Sequence, residues 1–338
     1  MKNLTAVFLS LIMVCFFVAY GSAQKKGVTQ TNKKNPSSQM PYQPVNISTS
    51  PELQTLLSNA VSETISAFQA KKLESNNIAA TLIDLRDAGN LKMANVRGDE
   101  KIYPASVVKL FYMVALEQML QDGKVRLTPE LERGLRDMIV DSSNEATQYI
   151  LDVLTDTSSG GEMPAKEFAV WSYKRNAVNR YFESLGFERI NVNQKTFCED
   201  AYGREQQFRN YKGENRNMLN TNATARLLAE IALGRAVSAK RSKMMMDLLK
   251  REPFAETKDD GDQAHGFTGI ALVNKQLMGA KLWSKAGWTS STRHDAAYIE
   301  TPGGLKFVLV VFTEKMAGER DIIPSIAEKI LDGMGKIK

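Results

Sequence analysis

The 338-residue chain is poor in the residues that most metal and redox chemistries need: two cysteines and two histidines, His265 and His294. Cys15 lies in an apolar N-terminal stretch that reads as a cleaved leader, which leaves Cys198 as the one cysteine of the mature chain. One cysteine cannot close an internal disulfide, and a lone cysteine is most simply a buried packing residue. Two histidines and one cysteine do not make a closed zinc site. A large excess of one sign of charge is also missing. The formal net charge is +6, and no basic stripe with interleaved aromatics is present, which argues against nucleic-acid binding. There is no G-x-S-x-G elbow and no phosphate-cradling glycine loop. A Ser-His-Asp triad through His294 has no motif to support it. Long apolar runs are absent too. Phe8 to Tyr20 is shorter than the roughly 20 residues of a membrane span. With Lys2 before it and Gly21-Ser22-Ala23 after it, the segment 1–23 reads as a signal peptide, so a secreted or periplasmic protein with no stable membrane anchor is expected.

What is present is ordinary globular composition, 43% hydrophobic and 24% charged, enough for one large domain or two lobes around a shared core. Residues 24–49 are rich in Gln, Lys, Asn, Ser and Pro and read as a disordered tether. Ser50-Pro51-Glu52 is a helix start, a cap followed by Pro and an acid. Ile78–Leu85 and Leu91–Val96 read as a strand hairpin. Helical patterns then run from Ser106 to about Leu154, with starts at Thr128-Pro129-Glu130 and after Asp141-Ser142-Ser143-Asn144. Residues 155–220 show few clear periods. Helices follow at Thr221–Ala232 and Ser242–Leu249. Strands are expected at Phe267–Asn274, Ala280–Lys285, Asp295–Glu300 and Lys306–Thr313, the last two joined by Pro302-Gly303-Gly304. A final helix carries Ile323, Ile326, Ala327 and Ile330. The order gives one antiparallel sheet built from both ends of the chain, covered by the first and last helices, with a helical insertion.

The chemistry begins at Tyr103-Pro104-Ala105-Ser106-Val107-Val108-Lys109. A serine hydroxyl is a weak nucleophile and needs a base. Lys109, one helical turn on, meets that need if burial lowers its pKa. Backbone N–H groups at a helix start suit an oxyanion. S-x-x-K alone is weak, and it recurs at Ser22-Ala23-Gln24-Lys25 in the leader. By itself Ser106 reads as well as a helix cap.

Two further segments change the weighing: Ser142-Ser143-Asn144 between helices, and Lys285-Ala286-Gly287 at the end of a strand. Singly, Ser142 and Asn144 read as caps and Lys285 as a surface strand residue. Together and in order, the three segments resemble the S-x-x-K, S-D-N and K-T-G motifs of the class A β-lactamases and the wider penicillin-recognising serine hydrolases. The resemblance covers roughly Ser50 to the C-terminus. It implies an α+β, β-lactamase/transpeptidase-like fold: an antiparallel sheet flanked by N- and C-terminal helices (sheet lobe 50–102 and 250–338) with an inserted all-helical lobe (103–249).

The resemblance also implies roles. Ser106 would be the nucleophile and Lys109 its proton acceptor or relay, and Ser142 would hand a proton to the leaving nitrogen. Asn144 would hold Lys109 and the substrate amide, and Lys285 would supply positive potential beside Ser142. The N–H groups of Ser106 and Trp288, beside Gly287, would form the oxyanion hole, and Arg293 would bind the substrate carboxylate. Two departures stand out. Ala286 replaces the hydroxyl residue of the third motif. The E-x-x-L-N run that supplies the deacylating glutamate is not visible; counting back from Thr221 points to Glu205, with Glu199 second. The expected function is hydrolysis of β-lactams through an acyl-enzyme, by a monomer needing no cofactor or metal. The alternatives are a D-alanyl-D-alanine-type peptidase or an esterase, or a sensor that binds penicillin without turnover. The partner is a small β-lactam or a D-Ala-D-Ala-like peptide, not nucleic acid.

Overall fold

The computed structural model describes Tyr42, residues 44–213 and residues 215–337. The leader 1–23 and most of the tether lie outside the described residues. Within the tether's expected span, Ile47–Thr49 forms strand β1, paired in parallel with strand β3 (Leu91–Val96). The sheet is therefore mixed at this edge. Its order is β1-β3-β2-β7-β6-β5-β4, with β2 at Ile78–Asp84, β4 at Lys250–Arg251, β5 at Lys281–Trp288, β6 at Thr292–Glu300 and β7 at Lys306–Glu314. Every other pairing is antiparallel. The N-terminal hairpin thus joins the C-terminal strands through β2 and β7, which closes the sheet across the length of the chain.

One face of the sheet is covered by helix α1 (Pro51–Ala67) and the last helix α11 (Ile322–Met334). The Ser50 hydroxyl caps α1 by accepting from Leu53 N at 3.2 Å, as its sequence demands. Leu53, Leu57 and Val61 of α1 meet Ile326 and Ile330 of α11 in one buried cluster. Full burial of each such side chain stabilises the fold by about 1.5–3 kcal/mol. The run Phe267–Asn274, expected as a strand, is instead helix α10 (Thr268–Asn274). Short apolar runs carry no period that separates strand from helix. Here Asp295 of β6 accepts from Thr268 N at 3.2 Å and so supplies a partner for the first turn.

The opposite face packs on the helical lobe. That lobe comprises α2 (Lys109–Gln121), α3 (Pro129–Ile139), α4 (Asn144–Thr155), α5 (Ala165–Arg175), α6 (Ala177–Ser184), α7 (Arg204–Arg209), α8 (Thr221–Ala232) and α9 (Ala239–Leu249). Helix α2 is buried nearly all round, from Leu110 to Leu116, as its dense apolar sequence requires. Lys109 stands at its start, fully buried. The aperiodic stretch 155–220 holds α5, α6 and α7 with loops between, around a small aromatic cluster of Phe168, Trp171 and Phe208.

Candidate active site

A 3-10 turn, Ala105–Val108, leads into α2 and carries Ser106. Ala105 is held at φ +46°, a left-handed conformation that costs a residue with a Cβ roughly 1–2 kcal/mol. Such strain persists only where the surroundings impose it, and it concentrates at functional sites. Two contacts hold the turn in place. Behind it, His294 is buried and donates from Nε2 to Tyr103 O at 2.9 Å, while its Nδ1 accepts from Thr313 N at 3.0 Å. Burial holds His294 neutral, its pKa down at about 4. Both ring nitrogens are used, so His294 is a structural support and not the base of a triad.

In front, Gly287 of β5 presses on the turn. A Cβ at Gly287 would lie 2.7 Å from Ser106 N and 2.8 Å from Pro104 O. Ala286 N points to the Gln263 side chain, on the edge of β5 beyond the two-residue β4. By the alternation of a strand, Trp288 N–H points to that same edge. Ser106 N thus lies against the strand at Gly287, the residue before Trp288. Replacing Gly287 with alanine should push strand and turn apart. The expected result is a folded protein whose acylation rate constant falls about 10²- to 10³-fold, measured by stopped-flow with an activated ester.

Side chains from the three motif segments meet around Ser142. It precedes Ser143, the residue that caps α4 by accepting from Ala146 N at 3.0 Å, and it takes φ +58°. The capping reading therefore belongs to Ser143, and Ser142 is turned inward. Lys109 Nζ donates to Ser142 O, to Ser142 Oγ at 3.2 Å and to Asn144 Oδ1 at 3.0 Å. Lys285 Nζ reaches Ser142 Oγ from the sheet side at 2.9 Å. One hydroxyl is thus shared by two lysines from two lobes, both fully buried. Burial pushes Lys109 down to about 7, with Glu145 and Cys198 opposing the fall. Lys285 is held well below its ordinary value by burial, then by repulsion from Lys109 and Arg251. A pKa at about 7 lets Lys109 accept a proton at physiological pH.

Two expected residues stand apart. Arg293 lies on the face of the sheet shared with Ala286 and Trp288, opposite to Lys285. Its guanidinium rests 4.0 Å from the Phe267 ring centroid and donates to Gly266 O. Glu205 is buried and forms a two-pronged pair with Arg175, at 2.9 and 2.8 Å. It also accepts from Ser159 Oγ at 2.9 Å. Neither of its oxygens is bonded to Ser106 or Lys109. Counting along the chain points to Glu205, but the buried Arg175 claims its carboxylate. Glu199 is exposed and makes no side-chain bond among the described residues.

The loop residue that does reach the cluster is Cys198. It is exposed rather than packed, and its sulfur accepts from Asn144 Nδ2 at 3.5 Å. Gln263 is a second group without any motif, bonded to Lys285 Nζ at 2.6 Å. Trp288 is 45% exposed beside Phe267, with ring centroids 5.6 Å apart. Among the described residues no three His, Cys, Asp or Glu side chains converge as a metal set, and no helix is long and apolar enough to cross a membrane.

With two buried lysines, Ser142 and Asn144 hydrogen-bonded together between a sheet and a helical lobe, and Ser106 in the turn that leads into Lys109, comparison with known proteins becomes informative. The family model described as "Beta-lactamase enzyme family" matches residues 58–334. The chain belongs to the β-lactamase enzyme family. Among solved structures it resembles the β-lactamase of Sphaerobacter thermophilus, at 19% identity over 83% of this chain and 98% of that one, with TM-score 0.58. It is similarly close to PBP-A, at 17% identity over 88% of this chain and 100% of that one, with TM-score 0.57. A PBP-A variant solved as an acyl-enzyme with penicillin G matches at 18% identity over 87% of this chain and 100% of that one, with TM-score 0.56. At these identities the likeness is one of fold. No curated protein sequence matches the chain. Family and architecture together make this a serine-hydrolase-like protein of the β-lactamase and penicillin-binding superfamily.

Proposed function

We propose that the protein is an acyl-transfer serine hydrolase of exported location, in which Ser106 attacks the carbonyl of an amide or ester. The observation that carries this reading is the Ser142 hydroxyl held by Lys109 at 3.2 Å and Lys285 at 2.9 Å. Neutral Lys109 takes the Ser106 proton as the Oγ–C bond forms. The oxyanion rests on the N–H groups of Ser106 and Trp288. Ser142 then passes a proton to the leaving nitrogen or oxygen as its bond to carbon breaks, and Lys109 resupplies Ser142. Asn144 holds Lys109 in place throughout.

The second half-reaction divides the family-level alternatives. Hydrolysis of the acyl-enzyme needs a base for water. With Glu205 spent on Arg175, a peptidase or esterase with a slowly cleared acyl-enzyme is the better supported branch. Efficient β-lactam hydrolysis is the second reading, favoured by Lys109 itself, whose low pKa allows it to act twice. Intact-protein mass after mixing with benzylpenicillin separates them. A lasting penicilloyl adduct on Ser106 is expected; catalytic loss of penicillin with no adduct would favour the β-lactamase. The rate of acylation should rise with pH through a midpoint near 7, because Lys109 is the base and its pKa lies at about 7. A rate flat from pH 5.5 to 8.5 would remove Lys109 from that role.

A further inference from the structure

We infer that Gln263 is a positioning residue of the acylation machinery: its side-chain amide holds Lys285 against Ser142 and ties the sheet to the turn that carries Ser142. Gln263 lies in the segment between β4 and α10 and is 6% exposed. An amide offers one oxygen with two acceptor positions and two N–H donors, and all four are used here. Oε1 accepts from Lys285 Nζ at 2.6 Å and from Ala286 N at 3.2 Å. Nε2 donates to Ile139 O at 3.2 Å and Val140 O at 2.8 Å. The orientation is fixed by its partners. A flipped amide would set N–H groups against an ammonium and a peptide N–H, and an oxygen against two carbonyls.

These partners explain what the residue does. Ile139 and Val140 end α3, where helical carbonyls lack partners within the helix. Arg251 Nη2 also donates to Ile139 O, at 3.0 Å. Ser142 follows Val140 by two residues. One amide therefore sets both Lys285 and the backbone leading to Ser142, each approached from a different lobe. It also occupies the Ala286 N–H on the open edge of β5, which leaves Trp288 N–H as the next donor along that edge. The charged groups that act on Lys285 are Lys109 from α2, Arg251 from β4 and Asp295 from β6. Those that act on Lys109 are Glu145 and Cys198, besides Lys285.

This role rests on the acylation chemistry proposed above, and its test separates the two. Gln263→Met removes the amide at nearly constant length. Gln263→Asn keeps the amide but is too short to span both partners, and it decides the matter should the methionine variant fail to fold. Acylation of Ser106 by p-nitrophenyl phenylacetate is followed by quenched-flow and peptide mass mapping, so that ester carried by Cys198 is counted separately. In a folded variant the acylation rate constant should fall about 10- to 100-fold with little change in half-saturation. The pH midpoint should also move upward. Lys285 loses an acceptor that favours its charged form, so Lys109 feels less positive charge and keeps its proton to higher pH. A merely destabilised protein would lose amplitude without moving the midpoint. A folded variant with parental rate and midpoint overturns the role of Gln263. A parent that takes up no acyl group on Ser106 overturns the hydrolase reading, and this role with it.

Discussion

Ser106→Ala will take up no acyl group at position 106 from benzylpenicillin or from an activated ester, while folding as the parent does. Ser106 is the nucleophile of the reaction proposed above, and its backbone N lies 2.7 Å from where a Cβ on Gly287 would stand. Ser142 is the nearest in role, but its oxygen already accepts from Lys109 and Lys285. Loss of a nucleophile that works as part of a unit costs on the order of 10⁶-fold in kcat. The measurement is intact mass followed by peptide mapping. Mapping matters because Cys198 is exposed and can take acyl groups from activated esters by itself. A penicilloyl group mapped to Ser142 or elsewhere in the cluster of the variant would refute the assignment.

The second large effect concerns stability. Arg175→Met is expected to destabilise the protein by about 3–5 kcal/mol, because it leaves a buried carboxylate without its partner. The side chains of Arg175 and Glu205 are 0% and 1% exposed. Lys195 is bonded to Asp152 at 2.6 Å and to Ser159 Oγ at 2.8 Å, and lies 3.7 Å from Glu205. Two cations and two anions thus form a nearly closed circuit under the loop that brings Cys198 to Asn144. Removing both partners, as in Arg175→Met with Glu205→Leu, should recover most of the loss, since replacing a buried pair by apolar groups is often close to neutral. Chemical denaturation of Arg175→Met, Glu205→Leu and the double variant beside the parent provides the cycle. If Arg175→Met unfolds at the parental midpoint, the pair contributes little. If Glu205→Gln lets an acyl-enzyme accumulate that the parent clears, Glu205 acts in deacylation after all.

The parts legible in the sequence were those fixed by local chemistry. Ser50-Pro51-Glu52 announces α1 because a cap, a fixed φ and an acid suffice to start a helix. Two short strand-like runs, Ile78–Asp84 and Leu91–Val96, with a turn between them make a hairpin, and the three motif segments supply Lys109, Ser142, Asn144 and Lys285, which the fold unites. What escaped depends on distant partners. Glu205 can be placed along the chain by counting, but its direction is set by Arg175, thirty residues earlier and within a stretch of weak periodicity. The tight turn before α7 has the same character. Gly203 sits at φ +55°, where a Cβ would lie 2.0 Å from Gly160 O, a close approach that no local pattern reveals. Arg293 is near the expected position in the sequence, yet strand register puts it across the sheet from Lys285. Gln263 belongs to no motif, because its value comes from two carbonyls of α3 and a strand edge. Phe267–Asn274 failed for the opposite reason: an apolar run of that length is compatible with either element until Asp295 and α11 are in place.

The sharing of Ser142 gives the site a direction. A hydroxyl has two acceptor positions and one proton. When both lysines donate to it, its oxygen is saturated and its hydrogen must point along the remaining tetrahedral direction, away from both lysine nitrogens. In the reaction proposed above, protons enter the cluster from Ser106 through Lys109 and depart through this single oriented O–H. The arrangement behaves as a rectifier. It delivers a proton outward at one fixed place, and a scissile bond is cut efficiently only if its leaving atom comes to rest there.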